Sequence, residues 1–112
     1  MRRIEAIVRP EKVEECLTAL EDLGVHGITV YEATGHGAQG GIDSQLGGKT
    51  HRIRLLPKSV LVVAVHDHES ESTVQALMTA AGTGHCGDGK IFVSTINEAI
   101  RVRTGETGTE AL

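Results

Sequence analysis

A glycine-rich run in the last third of the chain, Gly87-Asp88-Gly89-Lys90, carries residue types that could bind an anion. Glycines allow backbone N–H groups to point into a turn and to approach phosphate oxygens closely. Lys90 would add a mobile positive charge. The same run is also typical of a plain connection between a helix and a strand. It therefore predicts a phosphate site only where other cations join it.

Two arginines and a further lysine are the cations that could join it. Arg101 and Arg103 alternate in the sequence, so on an extended segment both side chains would face one side. Guanidinium groups placed in that way can fork onto phosphate oxygens. Lys58 follows Pro57, where an ordinary solvated lysine is the alternative interpretation. All of these cations fall near predicted strand ends, where we expect the fold to bring them together on one anion.

The composition argues against several other functions for this 112-residue chain. The net charge of −4 disfavours binding to nucleic acid, which usually requires a basic face. A single-stranded RNA binder would need aromatic stacking platforms, and the chain has one Phe and one Tyr. No apolar run approaches the roughly 18 residues of a membrane span. No export leader precedes Ile4, and Cys16 and Cys86 form no C-x-x-C pair, so we expect a soluble, cytoplasmic protein with reduced thiols.

The six histidines raise the question of a metal site. His66 and His68 alternate around Asp67, and alternate histidines can bind a metal from one face of a strand. The other four flank a long loop or lie near turns. Because no tight spacing with a carboxylate or a cysteine accompanies the set, we interpret these histidines as structural or incidental.

Hydrophobic periodicity predicts two β-α-β units in a single domain, residues 1–112. The predicted elements are strands at residues 4–9, 27–34, 60–65 and 91–96, one helix that starts at Pro10 and one that Asp67 or Ser70 can cap. The apolar helix faces would be Val13, Cys16, Leu17, Leu20 and Leu23, and then Val74, Leu77, Met78 and Ala81. This order predicts an α+β fold with the ferredoxin-like βαββαβ plan, in which both helices cover one face of a four-stranded antiparallel sheet. The other face is partly apolar, so we expect a homo-oligomer to cover it.

The character of the sequence changes between the two units. Residues 35–48 contain six glycines, and the segment shows little periodicity as far as about Arg54. We predict a long mobile loop there. A loop well beyond about 12–15 residues in a compact domain usually carries function.

Three stretches hold their register along the whole chain and together point to a known family. The first reads Arg3-Ile4-Glu5-Ala6-Ile7-Val8-Arg9-Pro10, followed by a helix and Gly27-Ile28-Thr29-Val30. The second runs from Thr83 to Val93, especially Gly87-Asp88-Gly89-Lys90-Ile91-Phe92-Val93, and the third reads Ile100-Arg101-Val102-Arg103-Thr104-Gly105-Glu106-Thr107-Gly108. At this spacing the chain resembles the PII family of nitrogen-regulatory signal transduction proteins. The resemblance implies a homotrimer with a T-loop at about residues 36–55 and a C-terminal segment at about residues 100–112.

The resemblance also implies ligands and the residues that bind them. ATP and ADP would compete for a cleft between neighbouring subunits, where Arg101 and Arg103 of one subunit face the other. That other subunit would contribute Thr29, Gly35, Gly37, Ala38, Gln39, Ala64, Gly87, Asp88, Gly89 and Lys90. The effector 2-oxoglutarate would bind beside ATP through Mg²⁺. Gln39 would give an oxygen ligand to the Mg²⁺, a hard cation, and Lys58 would pair with the far carboxylate.

The chain departs from the family pattern around the T-loop. Many members carry an arginine where this chain has Ala38, so nucleotide affinity or the preference between ATP and ADP would differ. His51 stands where many bacterial members have a tyrosine that is uridylylated, and we therefore expect no uridylylation. Ser44 and Thr50 lie nearby as possible modification sites. Gly47 replaces the arginine that plugs an ammonium channel, which weakens the case for an ammonium transporter as the partner, although Arg52 and Arg54 could offer a different basic contact. A nitrogen-metabolism enzyme is the other partner that the resemblance implies.

These observations favour a regulatory binding protein over an enzyme. No nucleophile and base pair stands out, so a phosphatase on the same plan is a lesser alternative and ATP hydrolysis would be slow and incidental. A second alternative is a PII-like nucleotide sensor with a different effector, such as bicarbonate, and a different partner. Ala38 and the altered loop favour that alternative, whereas Gln39 and Lys58 favour 2-oxoglutarate.

Overall fold

The computed structural model of the chain describes residues 1–37 and 55–112 and the backbone of residues 42–46 and 49–53. In chain order the elements are β1 Arg2–Val8, α1 Val13–Asp22, β2 Ile28–Gly35, β3 Ile42–Leu46, β4 Lys49–Ile53, β5 Leu56–Val65, α2 Ser70–Ala81 and β6 Lys90–Thr95. Short 3-10 turns at Pro10–Lys12 and Asp67–Glu69 lead into the helices, and a third, Gly108–Ala111, lies in the tail.

Four of the strands form one sheet in the order β2-β5-β1-β6, and every neighbouring pair is antiparallel. Both helices lie on one face of this sheet, where they contact each other and the core. The structure therefore confirms the α+β, ferredoxin-like plan. Among the described residues no helix could span a membrane, since α1 and α2 have 10 and 12 residues.

The core lies between the helices and the two central strands. Ile4, Ala6 and Val8 alternate along β1 and are all buried, as the period of two predicts. Leu61 and Val63 of β5 lie directly opposite Ala6 and Ile4, so they point to the same face and join the same core. No helix of the described residues lies over the other face of the sheet.

The two predicted helix faces are only partly correct. Leu23 is exposed because α1 ends at Asp22, and the buried centre of that helix is formed by Cys16 and Leu20. On α2 the buried row contains Thr73 and Leu77, while Met78 lies about 100° round the helix from Leu77 and is half exposed. Thr73 tolerates burial because its hydroxyl donates to the Glu69 carbonyl oxygen at 2.8 Å.

The segment predicted as a loop with little periodicity contains regular structure. Strands β3 and β4 pair antiparallel as a separate two-stranded sheet, with Ile42 opposite Ile53 and Leu46 opposite Lys49. The prediction of a long loop did not include this pair of strands. Two strands separated by a Gly-Gly dipeptide are a recognised hairpin signal, which the glycine count obscured.

Candidate functional site

A cleft of about 300 Å³ opens on the uncovered face of the sheet, where β1 ends and β6 begins. Ile7 lies in it, between Val60 of β5 and Lys90 of β6. The complete lining is Ile7, Gly35, His36, Gly37, Leu56, Lys58, Gly87, Gly89, Lys90 and Phe92. Of the residues predicted to bind ligands, the structure thus brings together Gly35, Gly37, Lys58, Gly87, Gly89 and Lys90.

Two lysines reach this cleft from different strands. Lys58 of β5 donates from Nζ to the Gly87 carbonyl oxygen at 2.8 Å, which ties the strand to the glycine-rich loop. An ammonium group has three donors, so two remain for a ligand. Lys90 is the first residue of β6 and also lines the cleft. Two positive charges on one concave surface favour an anionic ligand.

The cleft also has apolar walls that the sequence reasoning missed. Ile7, Leu56 and Phe92 contribute them, and His36 adds an imidazole beside the two lysines. Phe92 could have been found, because it is two residues beyond Lys90 on the same strand and must therefore face the same side. A ligand with an anionic part and a flat apolar part would fit such a lining.

Asp88 is bound within the glycine-rich loop and does not line the cleft. Its Oδ1 accepts from the Thr83 hydroxyl and from Arg9 Nε at 3.1 Å, and its Oδ2 accepts from the amides of Thr83 and Gly84 at 2.7 and 3.0 Å. Arg9 also donates to the Cys86 carbonyl oxygen at 2.6 Å. The Thr83 hydroxyl and amide, with Arg9 and the Gly84 amide, hold the pKa of Asp88 well below its usual range.

This carboxylate therefore orders the loop, and Arg9 is its partner from the far end of the chain. Sequence reasoning did not assign Arg9 to the site. The two residues are 79 positions apart, so no local pattern could have paired them.

Gly89 lies against β1 more closely than any other residue type could. A Cβ atom built there would be 1.7 Å from the Ile7 carbonyl oxygen, and its φ is +105°, where L side chains are strained. This contact sets how closely the glycine-rich loop approaches β1 beside the cleft. The glycine is therefore needed for its shape as well as for access to its amide.

Thr29 and Ala64 do not join the cleft within one chain. Thr29 is opposite Val62, and Ala64 is opposite Arg3 near the start of β1. Both lie on the uncovered face, but Ala64 is six residues beyond Lys58 along β5, a distance of about 20 Å. The tail leaves the sheet at that same end, because the Ile96 amide donates to the Met1 carbonyl oxygen at 3.0 Å. The structure thus separates Thr29 and Ala64 from the glycine-rich loop they were grouped with.

The tail is folded into a turn and is not extended as the alternation argument assumed. The Gly105 amide donates to the Arg101 carbonyl oxygen at 2.8 Å, and residues 102–104 form the turn. The period of two does not apply in a turn, so the reason for placing Arg101 and Arg103 on one side was wrong. Arg101 is half-buried and engaged by Glu106, whereas Arg103 is exposed.

Several predicted positions lie outside the described residues or have only their backbone described. Ala38, Gln39 and Gly47 are in the first group. Ser44 and His51 are in the second, opposite each other in the β3–β4 pair. The roles expected of these residues stay predictions.

No cluster of three histidine, cysteine or acidic side chains able to hold a metal occurs in the described part of the chain. His66 and His68 instead stack on each other, with their ring centroids 5.7 Å apart. Between them, Asp67 accepts a hydrogen bond from the Met1 amino group at 2.7 Å.

Comparison with known proteins agrees with the fold and with the family resemblance of the sequence. A family model described as Nitrogen regulatory protein P-II matches residues 1–106. The chain is 46% identical over 112 residues to Nitrogen regulatory protein P-II 2 of Methanothermobacter thermautotrophicus, covering all of this chain and 97% of the relative. It is also 46% identical to Nitrogen regulatory protein P-II of Rhizobium meliloti and 43% identical to that of Azospirillum brasilense, with full coverage of both chains in each case.

Proposed function

The chain belongs to the nitrogen regulatory protein P-II family, and from that premise we propose that it is a homotrimeric sensor of ATP and ADP that regulates other proteins through its T-loop. The observation that carries the proposal is the cleft in which Lys58, Lys90 and the Gly87–Gly89 loop meet. Membership of a regulatory family and the absence of a recognised nucleophile and base pair from the sequence support a binding role over catalysis.

The chemistry of the cleft suits a nucleoside polyphosphate. Lys58 and Lys90 would neutralise phosphate charge, and the loop that Asp88 orders would present backbone amides to phosphate oxygens. The apolar walls, with Phe92, would accept the base or the sugar. A preordered loop binds more tightly than a flexible one because less conformational entropy is lost on binding.

Two observations support a trimer with nucleotide sites between subunits. First, the uncovered sheet face exposes about half of Tyr31 and of Phe92, large side chains that a neighbouring subunit would shield. Second, Thr29, Ala64 and the tail lie at the opposite end of the sheet from the lysine cleft, so one chain holds two incomplete halves. A ring in which each cleft meets the neighbour's tail would complete every site.

For the effector we propose 2-oxoglutarate, bound beside ATP and Mg²⁺ at the base of the T-loop. Lys58 would pair with the far carboxylate of 2-oxoglutarate. That carboxylate would accept from the Lys58 ammonium donors that the Gly87 carbonyl oxygen does not use. Gln39 would supply an oxygen to Mg²⁺, the kind of ligand that this hard cation prefers. Ligands at the base would then bias the T-loop toward one conformation for a cytoplasmic nitrogen-metabolism enzyme or an ammonium transporter.

Calorimetric titration with ADP tests the nucleotide site. Lys90→Ala should weaken ADP binding by about 1.5–3 kcal/mol, the range for losing a hydrogen bond to a charged group. Lys12→Ala is the matched control, because it removes the same charge from a side chain that pairs with Glu15 and does not line the cleft. Equal affinities of the two variants would refute the proposed site.

A second titration separates 2-oxoglutarate from another effector. In the presence of Mg²⁺ and ATP, 2-oxoglutarate should bind tightly, and Gln39→Ala should abolish that binding while ADP binding is retained. Failure of the wild-type protein to bind 2-oxoglutarate under these conditions, with nucleotide binding intact, would favour a sensor of a different effector such as bicarbonate. Equal loss of both ligands in Gln39→Ala would refute the role given to Gln39.

A further inference from the structure

The sheet face opposite the helices carries an ion pair on one of its central strands. Arg3 and Glu5 lie two residues apart on β1, and Arg3 Nη1 donates to Glu5 Oε2 at 2.7 Å. Because Ile4 and Ala6 of the same strand are buried in the core, Arg3 and Glu5 point to the opposite face. The strand has β5 on one side and β6 on the other, so the pair does not lie at the rim of the sheet.

The residues that lie opposite this pair on the two flanking strands are small or apolar: Ala64, Ser94, Val62 and Phe92. Within one chain the side chains of Arg3 and Glu5 are 44% and 23% exposed. A second molecule that covered this face would therefore bury both charges among such neighbours. Burial of an ion pair is costly unless further hydrogen bonds satisfy it. The pair thus constrains what can cover the face more than the apolar residues around it do.

Glu5 is the only acidic residue that the described strands place on this face. The other residues there are neutral apart from Arg3 and the two cleft lysines, Lys58 and Lys90. A second copy of the face therefore offers Arg3 one carboxylate, that of its own Glu5. The bond within the chain uses one of the five N–H donors of the guanidinium, and a carboxylate accepts more than one hydrogen bond. Both groups can form a second bond while keeping the first.

We propose that each Arg3 also binds Glu5 of the next subunit, so that charges of alternating sign form a closed ring around the symmetry axis. This inference rests on the homotrimer of the proposed function. Symmetry favours it, because a threefold axis brings three copies of each charge to one level, and three arginines alone would repel one another. Arg3 and Glu5 are about 7 Å apart along β1, so a strand inclined to the axis brings the two levels together.

Such a ring determines which chains can assemble with one another. Replacing a buried ion pair by apolar residues is often neutral or stabilising, so the ring contributes selectivity more than binding strength. A chain with other charges at positions 3 and 5 would bring like charges together at a mixed interface, which is strongly unfavourable. The partner that fits this face is therefore a second copy of this chain, or a chain that keeps both charges.

Mixing the wild type with a charge-exchanged variant tests the ring. Arg3→Glu/Glu5→Arg keeps the pair within the chain and the alternation between identical chains, so it should form trimers. A mixed trimer would contain one arginine–arginine and one glutamate–glutamate contact. Isotope-labelled wild type and unlabelled variant are refolded together at equal amounts, and the trimers are counted by native mass spectrometry. Random assembly would give about three-quarters mixed trimers, and we expect them to be at least about tenfold rarer than that.

The matched control is Lys12→Glu/Glu15→Lys. Lys12 and Glu15 form an ion pair at 3.4 Å on the helix side of the molecule, so exchanging them alters neither the net charge nor the sheet face. This variant should mix randomly with the wild type. Random mixing of the Arg3→Glu/Glu5→Arg variant as well would overturn the ring. The ring would also be overturned if that variant folded but formed no trimers, because every alternating contact is retained in it.

Two milder variants test the same contact if the charge-exchanged chain does not fold. Arg3→Gln and Glu5→Gln each lose the pair within the chain, and trimers of either variant alone lose every pair between chains. In a mixed trimer, Arg3 of one variant meets Glu5 of the other at one interface. The ratio of mixed to unmixed trimers should therefore exceed the random ratio by at least about twofold, as expected for one regained ion pair.

Lys12→Gln mixed with Glu15→Gln is the corresponding control and should stay at the random ratio. A random ratio for Arg3→Gln with Glu5→Gln would refute the contact between subunits, because mixing cannot restore a pair that is confined to one chain. Failure of the ring is distinguishable from failure of the proposed function. If the wild type forms trimers that bind ADP but both mixtures are random, only the ring is wrong. If the wild type forms no trimer, the proposed assembly fails and the ring fails with it.

Discussion

Replacing Gly89 with alanine should be much more damaging than the same replacement at Gly84, five residues earlier in the same loop. Both glycines have positive φ, +105° and +85°, so each substitution incurs the strain of an L residue in that region, about 1–2 kcal/mol. Replacing either glycine also lowers the conformational entropy of the unfolded chain, and the stability gained in this way is common to both variants and cancels in the comparison. The surroundings of the two added Cβ atoms are what differ.

At Gly84 no atom lies within 4 Å of the added Cβ, whereas at Gly89 the Ile7 carbonyl oxygen lies at 1.7 Å and the Ile7 carbonyl carbon at 2.8 Å. Because such contacts are ordinarily about 3.5 Å, the loop and β1 must separate by roughly 1.5–2 Å. The pairing of Ile7 with Lys90 would then open, at a cost of about 1 kcal/mol for each hydrogen bond lost. We expect Gly89→Ala to lose about 3–4 kcal/mol, compared with about 1–2 kcal/mol for Gly84→Ala.

Urea unfolding at matched protein concentration measures both values, and calorimetry with ADP adds a functional readout. Because Gly89 and Lys90 line the cleft, Gly89→Ala should also reduce ADP affinity at least tenfold, the equivalent of about 1.4 kcal/mol. Gly84→Ala should bind ADP nearly as the wild type does. If the two variants have the same unfolding midpoint, the close contact with Ile7 does not restrain the loop and the reasoning is refuted.

Three further predictions concern the core, the loop and the thiols. Leu77→Ala should destabilise the fold by about 2–5 kcal/mol in urea unfolding, while Met78→Ala, at a half-exposed neighbour, should cost far less; equal losses would contradict the assigned helix face. Since the pKa of Asp88 is lowered in the folded state, its stabilisation is complete above the ordinary Asp pKa of about 3.9 and disappears as the pH falls below it. Acid unfolding of Asp88→Asn should therefore depend less on pH than that of the wild type, and parallel curves would refute this. Burial raises the pKa of the Cys16 thiol, so a disulfide reagent should modify exposed Cys86 quickly and Cys16 slowly; modification of both at one rate would contradict the burial.

The fold was largely predictable because its sheet follows a simple pattern. On β1, burial of Ile4, Ala6 and Val8 follows directly from alternation along an extended strand. The β3–β4 pair was missed because a two-stranded sheet that does not pack on a helix does not require alternating apolar and polar residues. Their backbone hydrogen bonds leave little trace in side-chain periodicity.

The residue types of the candidate site were easier to predict from the sequence than the contacts between them. Gly87, Gly89 and Lys90 line the cleft as their residue types suggested. By contrast, the Arg9–Asp88 pair joins residues 79 positions apart, and only the complete fold brings them together. Local patterns cannot supply a contact of that range.

The tail shows why a rule of periodicity requires the right backbone. The alternation of Arg101 and Arg103 would place both side chains on one side only if the segment were extended. A single turn, closed by the hydrogen bond from Gly105 to Arg101, gives the two guanidinium groups different surroundings. The sequence carried a sign of this turn in Gly105, because glycine readily adopts a positive φ such as the +75° that the structure shows there.

The separation of the lysine cleft from the tail along the sheet has a consequence for mixtures of defective subunits. In the proposed ring, Lys90→Ala would impair only the cleft half of each site and Arg103→Gln only the tail half, so a ring made wholly of either subunit would lack every intact site. A hybrid trimer that contains both variants would have one interface at which an unaltered cleft meets an unaltered tail. Co-assembling two inactive proteins should therefore restore nucleotide binding at one site per hybrid ring, a form of complementation that one self-contained chain could never show.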